Sequence, residues 1–137
     1  MGWLHASPPL PKDSTAERLP RCRTLDKDDP AFIMPEVDNC NDVLQAFNLS
    51  GYVQSTGMGV VALSWQEIKA LNEAAGLFLS SWAMRQVRNM SEHYCKVFNQ
   101  SSDKDIPPPW VNDFEEYKRY KLAQSEKLLL AKRNKTT

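Results

Sequence analysis

Leu63-Ser64-Trp65-Gln66-Glu67-Ile68 is the stretch that decides the fold, together with Ser80-Ser81-Trp82-Ala83-Met84-Arg85-Gln86-Val87 downstream. Ser64 followed three residues later by Glu67 is a capping box. The serine hydroxyl can accept from the Glu67 amide, and the glutamate can reach back to the Ser64 amide. Leu63 and Ile68 flank it as a hydrophobic staple. Ile68, Leu71 and Ala75 continue at helical spacing, and Gly76 is placed to end the helix in the left-handed conformation. Leu77, Phe78 and Leu79 form a short apolar link to a second helix capped by Ser80 or Ser81. Its buried stripe is Ala83, Val87, Met90, Tyr94 and Val97, with Phe98 alongside, while Arg85, Arg88, Glu92 and Lys96 lie off it. Two helices with so short a link form a helical hairpin.

Toward the N-terminus, residues 51–61 read as a loop rich in Gly, Ser and Thr. Val43, Leu44 and Phe47 define a short helix that Asp38 or Asn39 would cap and Gly51 would end. Residues 1–36 contain Pro8, Pro9, Pro11, Pro20, Pro30 and Pro35, which remove backbone donors and interrupt helices. This stretch reads as an extended arm that can lie across another surface but cannot build a core. Toward the C-terminus, Pro107-Pro108-Pro109 reads as a stiff spacer followed by Trp110. Asn112 or Asp113 then caps a last helix over roughly 113–133. From Lys118 onward its charges are Lys118, Arg119, Lys121, Lys127, Lys132, Arg133 and Lys135 against Glu126. The expectation is an all-α chain: an irregular arm over 1–36, a small helical domain over 37–106, and a proline spacer with a basic helix over 107–137.

The 137 residues suffice for one modest core. Lys plus Arg is 17 and Asp plus Glu is 17, so the whole molecule lacks the positive excess that phosphate binding requires. No window is apolar enough to span a membrane. The start has neither a basic region nor an apolar signal core. Ala6 stands where a myristoylation motif needs Ser or Thr. The expected compartment is therefore the cytoplasm. Cys22, Cys40 and Cys95 are odd in number and widely spaced, which fits reduced thiols better than a disulfide framework or a zinc site.

No catalytic, metal or cofactor constellation emerges. His93 and Cys95 are two apart on one helix and point to different faces. Glu115-Glu116 and Asp28-Asp29 read as solvated charge. Gly57-Met58-Gly59 lacks the length and the Lys-Ser/Thr of a phosphate loop. Trp65 and Trp82 read as packing residues of the hairpin. Trp3 and Trp110, in proline-rich context, are candidate partner-binding residues, because tryptophan is enriched at interface hot spots. Lys127, Lys132 and Arg133 are candidates for electrostatic contact with an acidic partner.

Three stretches carry a family resemblance. They are the Leu63–Ile68 entry, the helix Leu79-Ser80-Ser81-Trp82-Ala83-Met84-Arg85-Gln86-Val87-Arg88-Asn89-Met90-Ser91, and Pro107-Pro108-Pro109-Trp110. With the opening Gly2-Trp3-Leu4-His5-Ala6-Ser7-Pro8-Pro9-Leu10-Pro11, the chain resembles small proteins encoded in the tail-assembly region of tailed bacteriophages and prophages. It departs from them at Ala83, where they tend to carry Glu, and over residues 45–54, which are more polar. The basic last helix lies outside the resemblance. The resemblance implies a tail-assembly chaperone or accessory factor of the host cytoplasm. Such a factor has no catalytic chemistry, and its partners are the tape-measure or tail-tube proteins. Two alternatives stand beside it: a nucleic-acid-associated regulatory protein using the basic helix, and a minor structural protein of the virion.

Overall fold

The computed structural model describes residues 1–111 and 113–135. Its helices are α1 (Gly2–His5), α2 (Arg21–Thr24), α3 (Asn41–Leu49), α4 (Trp65–Ala74), α5 (Ser81–Asp103) and α6 (Phe114–Lys135). Strands β1 (Gln54–Thr56) and β2 (Gly59–Val61) lie between α3 and α4. The chain divides into two compact units. One comprises Met1–Leu25 and Glu36–Ile106; the other comprises Asp26–Pro35 and Pro107–Thr137.

The first unit is built on α5. Both sides of the capping box at the start of α4 are made: Glu67 N donates to Ser64 Oγ at 3.2 Å, and Ser64 N donates to Glu67 Oε2 at 2.8 Å. Losing such a cap costs about 1 kcal/mol. At the other end, Gly76 sits at φ 60° and Leu77 N donates to Asn72 O at 3.1 Å, which satisfies a terminal carbonyl in the manner of a Schellman motif. Ser80 caps α5 by accepting from Ala83 N at 3.1 Å. The core joins Val43, Ala46 and Phe47 of α3, Ile68 of α4, and Ala83, Val87 and Tyr94 of α5, with Leu63 and Leu79 from the adjoining links.

The all-α expectation is corrected: the chain is 56% helical and also carries a two-stranded antiparallel sheet. Residues 51–61, read as a loop, pair in the register Gln54↔Val61, Ser55↔Val60 and Thr56↔Gly59. Val53, Val60 and Val61 favour extended backbone and flank a two-residue connector, Gly57-Met58. Gly59 leaves that connector at φ 132°, which a residue with a side chain rarely adopts. Ser91 of α5 then clamps both ends of the hairpin. Its Oγ accepts from Leu63 N at 2.9 Å and donates to Tyr52 O at 2.6 Å. A second correction concerns α3. Neither Asp38 nor Asn39 caps it; Cys40 holds the cap position without a side-chain bond, and Asn39 is in the left-handed region.

The proline-rich arm is ordered where it meets α5. An added Cβ on Gly2 would fall 2.8 Å from Tyr94 O, so α1 rests directly on the α5 backbone and only glycine fits there. In the second unit, Asp29 is buried, accepts from Ala31 N at 2.9 Å and pairs with Lys121 at 3.2 Å. Pro108 is buried, and Val111 N donates to Pro108 O at 3.2 Å, so the chain turns around Trp110.

Candidate partner-binding surface

α6 begins with the expected acidic cap: Glu116 N donates to Asp113 Oδ1 at 2.9 Å. Asn112, the other expected cap, lies outside the described residues. Glu115 and Glu116 fill the first turn, where the helix dipole favours negative charge. The first half of the helix is anchored within its unit. Tyr117 is buried, Lys121 reaches Asp29, and Tyr120 Oη donates to Asp28 O at 3.4 Å. Lys118 bridges to Glu115 at 3.0 Å and lies over the Phe114 ring.

The second half behaves differently. Every residue from 125 to 134 is exposed, so no side of the helix is buried there. Leu122, Leu128, Leu129 and Leu130 are 63%, 61%, 62% and 57% exposed. A helical segment of this length with no packed face is marginal in water, because most helical stability in proteins comes from burying one side. Clustered exposed leucines mark interaction sites. The cations Lys127, Lys132 and Arg133, singled out from the sequence, share this stretch with the leucines.

The two tryptophans proposed from the sequence are placed differently from one another. Trp3 belongs to the first unit and is only 3% exposed. Its Nε1 donates to Ile106 O at 2.7 Å, and the Arg21 guanidinium lies 4.8 Å from its ring centroid. Trp110 belongs to the second unit and is half-buried. Trp65 and Trp82, expected to pack the hairpin, are instead 51% and 50% exposed. The Arg88 guanidinium stands 5.5 Å from the Trp65 ring centroid. Phe78 is 93% exposed and held at φ 51° in the link between α4 and α5.

Among the described residues, no group of three or more His, Cys, Asp or Glu is placed to hold a metal ion. His5 Nδ1 and Tyr94 Oη share a 2.6 Å hydrogen bond, whose donor depends on the imidazole tautomer. Tyr94 also stacks on Tyr52 with centroids 5.4 Å apart. Burial lowers the His5 pKa, and the neighbouring amino terminus adds to that effect. Burial, with Tyr52 and the Cys95 and Cys22 thiols, pushes Tyr94 up to about 12. Burial and then Glu92 raise the Cys95 thiol, the opposite of an activated nucleophile. An open groove along α5 is lined by Gln86, Asn89, Met90, Glu92, His93 and Lys96. Glu92 and His93 are adjacent there and diverge by about 100° around the helix, so they cannot orient one another.

Sequence reasoning missed Arg21, one of three arginines over residues 18–23 with no periodic pattern to set it apart. It is 3% exposed and donates to Ser101 O at 2.9 Å at the end of α5, and to Asp105 at 3.2 Å. Among the described residues, no helix is long and apolar enough to cross a membrane. Comparison with protein-family models, with curated proteins and with solved structures finds no match to this chain.

Proposed function

We propose that this chain is a non-catalytic assembly factor that holds a partner protein through the second half of α6. The observation that carries this reading is the leucine-and-cation stretch over residues 125–134, helical yet exposed on all sides. Docking would supply the burial that this segment lacks on its own. The resemblance of the Leu63–Ile68, Leu79–Ser91 and Pro107–Trp110 stretches to phage tail-assembly proteins supports a tape-measure or tail-tube protein as the partner, met in the host cytoplasm. The first unit then serves as the folded body, and α6 as the element that engages the partner.

The experiment is calorimetric titration of the full chain with the tape-measure and tail-tube proteins of the same genome, at several salt concentrations. One of them should bind, and affinity should fall as salt rises, because cations on an exposed helix are screened. Neutralising Lys127, Lys132 and Arg133 together to Gln should slow association without changing the fold. A second reading, nucleic-acid binding, is favoured by the charge of residues 118–135, seven basic side chains against one acidic. Tight, salt-dependent retention on duplex DNA with no binding to either tail protein would establish that reading in place of the first.

A further inference from the structure

Tyr94 of α5 sits where α1, α5 and the entry to the β-hairpin meet. Its ring stacks on Tyr52 and lies 6.0 Å from Phe98, while Tyr52 meets Phe47 of α3 edge-on at 5.1 Å. His5, half-buried at the end of α1, closes this cluster, 5.4 Å from the Tyr52 ring and 5.8 Å from the Tyr94 ring. Its Nδ1 lies 2.6 Å from Tyr94 Oη.

The surroundings decide which way that hydrogen bond runs. Tyr94 is 8% exposed, and burial first raises its pKa to about 12, so the hydroxyl keeps its proton. Among the described residues that hydroxyl has no other hydrogen-bond partner. It is satisfied when Tyr94 Oη donates to an unprotonated Nδ1 and the imidazole proton sits on Nε2. A second proton, arriving at Nδ1, removes that acceptor and strands a buried donor. The new cation also finds no counter-charge. The titratable and charged groups that surround the contact are Tyr94 and Cys95 of α5, Tyr52, Arg21 and Cys22 of α2, and the amino terminus. None is a carboxylate. Helix α2 carries none, and Glu92, the α5 carboxylate nearest in sequence to Tyr94, pairs with Arg88 at 3.1 Å. Burial of the ring, and after it the amino terminus, disfavours the charged imidazole.

We propose that the His5–Tyr94 contact is an acid-sensitive latch, in which protonation of the imidazole loosens α1 from α5. Trp3, Leu4 and Ala6 are buried in the docked arm and are uncovered as α1 lifts. The Trp3 bond to Ile106 O and the Arg21 bond to Ser101 O remain, so acid loosens the arm without unfolding the unit. Docking is full above about pH 6.5, the ordinary histidine value, and weakens as pH falls below it, because undocked His5 binds a proton more readily than docked His5.

The test is hydrogen exchange on the full chain at about pH 7.5 and about pH 5.5, corrected for intrinsic rates, in the parent and in His5→Asn. Asparagine can still accept from Tyr94 and does not titrate. In the parent, protection over residues 1–25 should fall by up to about tenfold at the lower pH, with the amides around Val87 still protected. His5→Asn should lose most of that response. An arm equally protected at both pH values, or a response of the same size in His5→Asn, overturns the latch. A second measurement does not depend on that variant folding. With His93→Gln, His5 is the sole histidine, and its proton NMR signal reports its own titration. The midpoint should lie below the ordinary histidine value. It should rise in Tyr94→Phe, which keeps the ring stack and removes the donor. A midpoint at or above the ordinary value, or one that Tyr94→Phe leaves unmoved, overturns the latch as well.

Discussion

Val87→Asp abolishes cooperative folding of the unit formed by Met1–Leu25 and Glu36–Ile106. Val87 is fully buried in the first third of α5, one helical turn from Ala83 and from Ser91, both also fully buried. A carboxylate there has no cation to pair with among the core residues Val43, Phe47, Leu63, Ile68 and Tyr94. An unpaired buried charge costs several kcal/mol, against a total stability of roughly 5–15 kcal/mol for a domain of this kind. Circular dichroism should show a broad, non-cooperative melt and loss of helix signal. A variant melting as the parent does would mean that α5 presents a different face to the core.

Arg21→Ala should have the second-largest effect, a loss of about 2–4 kcal/mol, since charge-assisted hydrogen bonds and orphaned buried acceptors each cost on that scale. The guanidinium does three things at once. It caps the end of α5 through Ser101 O, reaches Trp3 O and Ala6 O at 3.5 Å in the arm, and covers the Trp3 ring. Its pairing with Asp105 adds little, because that carboxylate is 80% exposed. Removing the side chain therefore frees the arm from α5. Denaturant melts should report the lost stability, and hydrogen exchange should rise across residues 1–25 before the rest of the unit. Arg21→Lys should not restore the parent, because a single ammonium cannot reproduce a planar fork of donors. Unchanged exchange in the arm would show that Trp3 and Gly2 hold it without Arg21.

The parts of the fold written in local chemistry were legible. Ser64 with Glu67, Ser80, Gly51, Gly76 and Asp113 all mark helix ends where the structure has them. The Ala83, Val87 and Tyr94 stripe is the buried face of α5. What escaped was what depends on distant partners. The Val53 to Val61 hairpin was hidden by its Gly, Ser and Thr content, although its β-branched residues bracket a two-residue connector. Ser91 is polar and outside the apolar stripe of α5, yet it is fully buried because it joins the two ends of that hairpin. The order in the arm rests on Arg21 and Gly2, single residues with no periodicity to announce them. At the candidate surface, the sequence pointed to Trp3, Trp110, Lys127, Lys132 and Arg133, and not to the leucine run. Tertiary packing, which no local pattern encodes, decides that residues 125–134 of α6 are uncovered, that Trp3 is inside the first unit, and that Trp65 and Trp82 are half-exposed.

Hydrogen exchange on the full chain, alone and with the tape-measure or tail-tube protein proposed as its partner in excess, tests the proposed role of α6 most directly. Residues 122–135 should exchange fast in the free protein and be strongly protected in the complex, with the core of α5 unchanged. Protection confined to the surface carrying Trp65, Phe78 and Trp82, with residues 122–135 still exchanging freely in the complex, would contradict it.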